Sequence, residues 1–408
     1  MTKQQAEEKL RQYGQEHVLK YYDILDEAQR QKLLRQIEET DFSVLKNIGL
    51  AGEKRERGRF EPLAAMELPQ IRQRKDEFEK IGIQALTSGK AAALLLAGGM
   101  GTRLGTDAPK GTYDIGLTRP VFIFERLIRN LLDVTEPLGV WPMLFVMTSE
   151  KNHETTVSFF KAHDYFGYRS DRIAFFKQEM APACDENGRL FMEAKDRIAT
   201  SPNGNAGWYS SLIRAGLDQV IRDEGIEWIN LFAVDNVLQK ILDPVFIGAT
   251  LDAGVSVGAK VVKKASPQEK VGVICQEDGH PSIVEYYELS DEMRDAKDEK
   301  GEPAYNFGVI LNYLFHLPEL DEVVGKGTPY HLVRKKISYL DENGDPVTPE
   351  QENGFKFEQL VLDLIHELDS CLPFEVVREK EFAPIKNKTG IDSVETAREL
   401  CKQNGIEL

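Results

Sequence analysis

Along the first 89 residues, apolar side chains recur at the spacing of amphipathic helices, with charged and polar side chains between them. Residues 7–25 place most of their apolar positions near one helical face, and residues 27–39 predict a second helix. The charged, glycine-rich segment at residues 49–62 predicts a loop. We therefore predict an N-terminal helical region at residues 1–89.

From residue 90 the pattern changes to short, continuous apolar runs. AAALLLA, at residues 91–97, ends in glycines and is typical of a strand buried on both faces of a sheet. Further apolar runs lie at residues 143–149, 173–178, 229–236 and 255–262, and amphipathic helices are predicted between them at residues 121–134, 154–166 and 207–225. This alternation requires crossover connections and predicts an α/β fold with a mainly parallel central sheet. Because ligands bind beyond the carboxyl ends of such strands, we expect the chemistry in the loops that follow these runs.

The last third of the chain has a mixed pattern. We predict strands at residues 271–276, 282–289 and 305–315, a helix at 355–368, a strand at 373–387 and a short helix within 393–408. Together the patterns predict a catalytic domain at residues 90–387, followed by a short C-terminal tail at 388–408.

Composition and charge narrow the classes of function. The 408 residues are 41% apolar, which is sufficient for a large core, and the net charge of −16 argues against a nonspecific nucleic-acid partner. The N-terminus has no apolar signal segment, and no apolar run approaches the length of a membrane span, so we expect a cytoplasmic protein with no membrane partner. The four cysteines are far apart, which predicts reduced, buried thiols and no zinc site.

The loop that follows the first buried run, GGMGTRLGTDAPKGTYDIGL at residues 98–117, carries the clearest chemistry. It is not a P-loop, because Lys110 precedes its glycine, and it is not a dinucleotide fingerprint, because Leu104 stands where the third glycine is required. Closely spaced glycines expose backbone amides and allow close approach of a ligand, while Arg103 and Lys110 add positive charge. The loop therefore predicts a cradle for a polyphosphate.

This loop and a series of later motifs resemble the UTP–sugar-1-phosphate uridylyltransferase family (the UDPGP type 1 family), and most closely its eukaryotic-type UDP-N-acetylhexosamine pyrophosphorylases. The motifs occur in the family's order: GQEHVLKYYDIL, FFKQEMAPA, PNGNAGWY, FAVDNVL, VGAKVV, VGVIC, VEYYELS, NGFKFEQLVLD and EFAPIKN. The resemblance covers nearly the whole chain. It implies a GT-A-like, Rossmann-like nucleotidyltransferase fold.

The resemblance also implies a role for each matching residue. Residues expected at the nucleotide are Ala97, Gly98, Gly99, Gly101, Thr102, Gln178 and Gly204. Residues expected at the sugar are Asn205, Gly272, Glu285, Tyr286 and Asn306. Residues expected to act on the phosphates are Arg103, Lys110, Lys356 and Lys386. The expected cofactor is Mg²⁺, with Asp235 as its ligand, because a carboxylate at the end of an apolar strand needs a cation or donors.

The implied reaction is an in-line attack by a sugar-1-phosphate oxygen on the α-phosphorus of UTP, with release of pyrophosphate. Phosphate oxygens are nucleophilic without a general base, so catalysis would consist of positioning and charge neutralisation. The expected partners are thus UTP and a sugar-1-phosphate, with N-acetylglucosamine-1-phosphate as the first choice.

Several positions depart from the family pattern, and they leave alternatives open. Leu360 and Leu362 stand where aromatic residues are frequent, Phe307 stands where a small residue is usual, and Ala206 replaces a glycine. The sugar could therefore be glucose- or galactose-1-phosphate, or the enzyme could accept a broad range. A nucleotide-sugar sensor that has lost catalysis is the alternative from another class. The family's longer C-terminal extension is mostly missing, which predicts a monomer.

Overall fold

The computed structural model describes residues 1–50, 57–326 and 329–408. The α-helices are α1 Lys3–Arg11, α2 Glu27–Glu39, α3 Leu68–Gln73, α4 Lys75–Thr87, α5 Ile123–Thr135, α6 His153–Ala162, α7 Trp208–Arg214, α8 Asp218–Glu224, α9 Pro244–Ala253, α10 Asp291–Asp295, α11 Leu317–Lys326, α12 Val361–His366, α13 Arg378–Glu381 and α14 Val394–Gln403. Short 3₁₀ segments lie at Glu16–Leu19, Tyr22–Ile24, Phe42–Leu50, Thr102–Leu104, Lys110–Thr112, Asp164–Gly167 and Ser170–Arg172.

The strands follow the same chain order. They are β1 Phe60–Pro62, β2 Ala91–Leu96, β3 Leu144–Thr148, β4 Ile173–Lys177, β5 Met180–Pro182, β6 Met192–Ala194, β7 Arg197–Ile198, β8 Thr200–Pro202, β9 Trp228–Ala233, β10 Val257–Lys263, β11 Val273–Glu277, β12 His280–Val284, β13 Phe307–His316, β14 His331–Lys335, β15 Tyr339–Leu340, β16 Pro346–Val347, β17 Gly354–Glu358 and β18 Cys371–Glu375.

The described residues form two compact units, each drawn from three segments of the chain. The smaller unit takes its residues from Met1–Glu56, Glu179–Gly207 and Thr328–Val361, and the larger one from Arg57–Gln178, Trp208–Gly327 and Leu362–Leu408. The three regions predicted along the chain, with boundaries at residues 89 and 387, stay predictions.

The larger unit contains one mixed sheet of ten strands in the order β1-β11-β13-β9-β2-β3-β4, with β10, β12 and β18 attached beside this path. Strands β9, β2, β3 and β4 are parallel to one another. On the other side of β9, the pairs β9–β13, β13–β11 and β11–β1 are antiparallel. This confirms the predicted α/β fold, whose central strands are parallel. Strand β2 lies in the middle because its alanines and leucines are buried on both faces.

The smaller unit is built on two-stranded antiparallel ladders, β5–β8, β6–β7, β14–β17 and β15–β16, together with α1 and α2. Its core is formed by apolar side chains that include Leu10, Leu33, Ile37, Ile198 and Phe357. Helix α2 covers the predicted segment at residues 27–39, and a capping box at Asp26 starts it.

One predicted element was wrong in its first half. Residues 355–368 were predicted to form a helix, but Gly354–Glu358 is strand β17, which pairs with β14, and the helix begins only at Val361. The sequence FKFE alternates apolar and polar residues, and Phe357 is fully buried. A period of two is the strand pattern. The helical spacing farther along the segment obscured it.

Other elements are shorter than predicted. The strand predicted at residues 373–387 ends at Glu375 and is followed by helix α13. The helix predicted at 207–225 is interrupted at Gly216, whose φ is +75°. The predicted loop at 49–62 contains β1, and its residues 51–56 lie outside the described residues.

Two further features agree with the sequence. Within the described ranges, the helices are too short or too polar to cross a membrane. All four cysteines are unpaired and buried, as predicted.

Candidate active site

The glycine-rich loop leaves the carboxyl end of β2 and folds back on itself. The amide of Gly101 donates to the carbonyl of Ala108 at 2.9 Å, and the amide of Lys110 donates to the carbonyl of Gly99 at 3.1 Å. These bonds bring Lys110 beside the start of the loop, although eleven positions separate it from Gly99 along the chain. Thr102 and Arg103 are exposed at the outer turn of the loop.

Asn152, at the start of α6, fastens the beginning of the loop. Its side chain is fully buried and donates to the carbonyls of Ala97 at 2.9 Å and Gly99 at 3.4 Å, while its amide oxygen accepts from Ser149 at 2.8 Å. Both carbonyls are thereby turned into the protein. The start of the loop is therefore held against the beginning of α6.

Gly98 packs closely against the side-chain amide of Gln178. A Cβ at this position would lie 2.9 Å from both terminal atoms of the Gln178 side-chain amide. Gln178 follows β4 and is nearly buried, and its backbone amide donates to Thr148 at 2.7 Å. Two residues predicted at the nucleotide are thus brought together, with a side-chain amide able to donate and to accept hydrogen bonds.

Four of the charged residues predicted from the sequence interact electrostatically: Arg103, Lys110, Asp235 and Lys386. We call them the phosphate cluster. Burial lowers the pKa of Lys110 below its ordinary value, and the carboxylate of Asp235 acts in the opposite direction. The cations Lys386 and Arg103 lower this pKa further. Even with Asp392, which pairs with Lys386, three cations face two carboxylates, and the excess of positive charge is suited to an anion.

Lys386 also connects the phosphate cluster with residues predicted at the sugar. Its ammonium group forms an ion pair with Asp392 at 3.1 Å and is close enough to Glu285 to affect its ionisation. Burial and the neighbouring Glu288 raise the pKa of Glu285, whereas Lys386 lowers it. Glu285 Oε1 lies 3.7 Å from the point that a Cβ at Gly272 would occupy.

Tyr286 and Asn306 are half-buried in the same unit. The backbone carbonyl of Tyr286 accepts from Arg294 at 3.2 Å, and Lys270 lies over its ring at 5.9 Å. Asn306 accepts from the amide of Lys264 at 2.9 Å through its backbone carbonyl, so its side chain is not used in that bond.

Gly204, Asn205 and Lys356 belong to the smaller unit. Gly204 has φ +93°, and a Cβ there would lie 2.1 Å from the carbonyl oxygen of Gln359, so only glycine fits. The side chain of Asn205 accepts from the amide of Val361 at 2.9 Å. Lys356 is a half-buried residue of β17. The structure therefore brings the predicted Gly204 and Asn205 next to the segment that follows β17.

Comparison with known proteins identifies the family. A family model described as UTP–glucose-1-phosphate uridylyltransferase matches residues 52–402. The chain belongs to this family.

Its relatives have more specific names. The chain is 35% identical over 406 residues to the "UDP-N-acetylhexosamine pyrophosphorylase-like protein 1" of Mus musculus, with 94% of this chain and 80% of the relative covered. It is also 35% identical to the "UDP-N-acetylglucosamine diphosphorylase 2" of Arabidopsis thaliana, covering 96% and 82% of the two chains. A solved structure of the Trypanosoma brucei uridine diphosphate N-acetylglucosamine pyrophosphorylase with an inhibitor matches with a TM-score of 0.81 at 29% identity, covering 96% and 83%.

The residues of this uridylyltransferase family member are compatible with a magnesium ion that is shared with substrate. Among the described residues no group of three or more His, Cys, Asp or Glu side chains could hold a metal ion. Asp235, however, is a half-exposed carboxylate in the phosphate cluster. Mg²⁺ is usually held by one or two carboxylates together with substrate phosphates and water. A single protein carboxylate is therefore a sufficient donor set when the nucleotide supplies the remaining oxygens.

Three residues with a structural role at this site were missed by the sequence analysis: Asn152, Asn236 and Asp392. Asn152 follows the apolar run at 143–149, so its place after a parallel strand was a usable signal. Asn236 directly follows Asp235 in the motif FAVDNVL, but no role was predicted for it. Asp392 had no local signal, because only the fold brings it to Lys386.

Proposed function

We propose that this protein is a UTP-dependent uridylyltransferase that converts UTP and a hexose-1-phosphate, first of all N-acetylglucosamine-1-phosphate, to a UDP-sugar and pyrophosphate. The phosphate cluster is the observation that carries the proposal, since three cations and the carboxylate of Asp235 interact at the glycine-rich loop. The names of the relatives support the same reaction.

In the proposed reaction, an oxygen of the sugar phosphate forms a bond to the α-phosphorus of UTP. The bond from the α-phosphorus to the bridging oxygen of the β-phosphate breaks, and pyrophosphate leaves with that oxygen. Lys110 and Arg103 neutralise the triphosphate, and Lys386 orients the attacking phosphate. No side chain has to remove a proton, so positioning and electrostatic stabilisation supply the rate enhancement.

Asp235 is proposed to hold Mg²⁺, which when bound neutralises charge on the phosphate oxygens. Loss of Asp235 should then weaken the binding of Mg²⁺–UTP more than the binding of free UTP. Isothermal titration of Asp235→Asn with UTP, with and without Mg²⁺, measures this difference without relying on turnover.

The preference for an acetamido sugar is supported by the face of β13 that carries Phe307 and Val309. Residues two apart on a strand share a face, and a Val309 methyl lies 3.6 Å from the point that a Cβ at Gly272 would occupy. An apolar wall beside Glu285 suits an acetamido methyl, whereas a bare hydroxyl there would lose hydrogen bonds. Glucose-1-phosphate remains the second candidate because the family description names it.

The proposal also includes a monomer in the cytoplasm, with no nucleic-acid partner. Buried, reduced thiols support a reducing compartment. Light scattering of the purified protein tests the oligomeric state.

The function is tested by pyrophosphate release from UTP and Mg²⁺ with N-acetylglucosamine-, N-acetylgalactosamine-, glucose- and galactose-1-phosphate. We expect the acetamido sugars to react fastest. Faster reaction of glucose- or galactose-1-phosphate would overturn the sugar assignment alone. Tight UTP binding without turnover of any sugar would overturn the enzymatic proposal in favour of a sensor.

A further inference from the structure

Two segments that carry charged residues of the phosphate cluster run side by side. Residues 234–238 follow β9 and contain Asp235, while residues 381–386 follow α13 and end with Lys386. The amide of Ile385 donates to the carbonyl of Asp235 at 2.8 Å, and Asn236 faces Pro384 in an isolated antiparallel bridge. The backbone segments that carry Asp235 and Lys386 are therefore hydrogen-bonded to each other.

The side chain of Asn236 closes this pair of segments. It is 1% exposed, and its amide group donates to the carbonyl of Glu381 at 2.7 Å. Its oxygen accepts from the amide of Ala383 at 2.9 Å and from that of Leu238 at 3.4 Å. One side chain thus uses both ends to fix residues 381–383 against the residues that follow Asp235.

The far end of the segment is anchored by a second set of charges, Lys240, Asp243, Lys260 and Glu381, which we call the buried ion cluster. Lys260 is fully buried, and its ammonium group donates to Glu381 at 2.6 Å, to Asp243 at 3.4 Å and to the carbonyl of Lys240 at 3.0 Å. Glu381 also accepts from the amide of Lys240 at 3.2 Å. The segment that Asn236 binds is therefore anchored at Glu381 by these contacts.

We propose that Asn236 is a positioning residue for uridylyl transfer, an inference that rests on the proposed function. It sets the separation between the carboxylate of Asp235 and the ammonium group of Lys386 by fixing their two backbone segments to each other. Asn236 touches no substrate. Its loss leaves both charged groups present but displaces them, and displacement of about 1 Å can reduce a rate about 10²-fold.

The test compares Asn236→Ala with Asn230→Ala. Asn230 is also a fully buried asparagine with three hydrogen bonds, to Asn312, Tyr313 and Leu242, none of which is a predicted site residue. We expect kcat to fall about 10²-fold in Asn236→Ala and at most about threefold in Asn230→Ala, at comparable loss of unfolding free energy. Dissociation constants for UTP without Mg²⁺ should change little in both variants.

A double-mutant cycle tests whether Asn236 acts through Lys386. In a Lys386→Ala background, Asn236→Ala should reduce kcat by only about tenfold, because one of its two targets is already absent. If the alanine variant does not fold, Asn236→Asp replaces it in both experiments. This isosteric change keeps the acceptor for Ala383, loses the donor to Glu381 and should reduce kcat about tenfold.

The outcomes separate the two proposals. An active wild-type enzyme in which Asn236→Ala is no slower than Asn230→Ala, or in which its effect is strictly additive with Lys386→Ala, overturns the positioning role. A wild-type protein that releases no pyrophosphate with any sugar overturns the proposed function instead. Unequal kcat losses together with non-additivity support the positioning role.

Discussion

Two groups of charges in the larger unit, the phosphate cluster and the buried ion cluster, both combine basic with acidic side chains but are balanced differently. In the buried ion cluster two lysines face two carboxylates, and Lys260 is fully buried between Glu381 and Asp243. Burial alone would raise the pKa of Asp243, but Lys260 and Lys240 outweigh it and the pKa is lowered. In the phosphate cluster, burial and neighbouring cations combine to lower the pKa of Lys110.

The difference indicates which charges stabilise the fold and which are kept for a ligand. Removal of a buried lysine whose charge is compensated inside the protein leaves carboxylates uncompensated and destabilises the native state. A lysine placed beside other cations is electrostatically unfavourable until an anion arrives. Substitutions in the two clusters and at the glycine-rich loop, together with changes of pH, test which charges stabilise the fold and which bind a ligand.

The largest effect is expected from Lys110→Met. Turnover should fall about 10²- to 10³-fold, because a preorganised cation is lost where phosphate charge develops. The free energy of unfolding should be unchanged or higher, since an unfavourable half-buried charge is removed. Pyrophosphate release and urea unfolding measure the two quantities. A variant that loses stability while the remaining folded protein keeps its turnover would reverse the assignment.

Lys260→Met should have the opposite profile. Removing the ammonium group leaves Glu381 and Asp243 with only Lys240, and we expect a loss of about 3 kcal/mol in the free energy of unfolding. Lys263→Met, on the same strand, is the control: its exposed pair with Glu67 should contribute less than about 1 kcal/mol. Equal losses in the two variants would contradict the balanced role of the buried ion cluster.

Asn152→Ala should weaken the glycine-rich loop without removing any charge. The change frees the carbonyls of Ala97 and Gly99, so we expect UTP affinity and turnover to fall about tenfold and stability to fall by about 1 to 2 kcal/mol. Asn353→Ala is the control, because that side chain is also bonded only to backbone groups, with two bonds to Ile337 against three for Asn152. Asn353→Ala should lower the free energy of unfolding by a similar amount and leave turnover unchanged. If its turnover falls as much as that of Asn152→Ala, the role of Asn152 in holding the glycine-rich loop is contradicted.

The pH dependence gives the smallest but most specific effect. Because the pKa of Lys110 is lowered from 10.5, the native protein without ligand releases this proton before the unfolded chain does. Between the lowered pKa and 10.5 the unfolded state binds more protons, so this group adds stability as pH rises. UTP affinity should fall over the same range. In Lys110→Met, the rise in unfolding free energy and the fall in UTP affinity with pH should both disappear. Urea unfolding and UTP titration at a series of pH values measure the two quantities. If both trends persist in the variant, a group other than Lys110 is responsible for them.

The sequence by itself determined the central strands and the chemical character of the loop after β2. Continuous apolar runs such as residues 91–97 are typical of strands buried on both faces of a sheet, and glycines with two cations predict an anion site from local chemistry alone. The predicted residues Arg103, Lys110 and Asp235 follow buried strands and interact, as the placement of ligands at strand ends suggested. Lys386, which also interacts with Lys110, was expected only from the family resemblance.

Only the tertiary structure decided how these residues are supported. Asn152 and Asn236 bind carbonyls and amides that are distant in sequence, and their hydrogen-bond partners could not be read from local patterns. Strand β17 forms because β14, about twenty residues earlier, offers a partner, and this long-range pairing overrides the helical spacing that follows. Local periodicity reports which side chains are buried. It does not report which distant backbone groups they bind, because those groups become neighbours only when the chain folds.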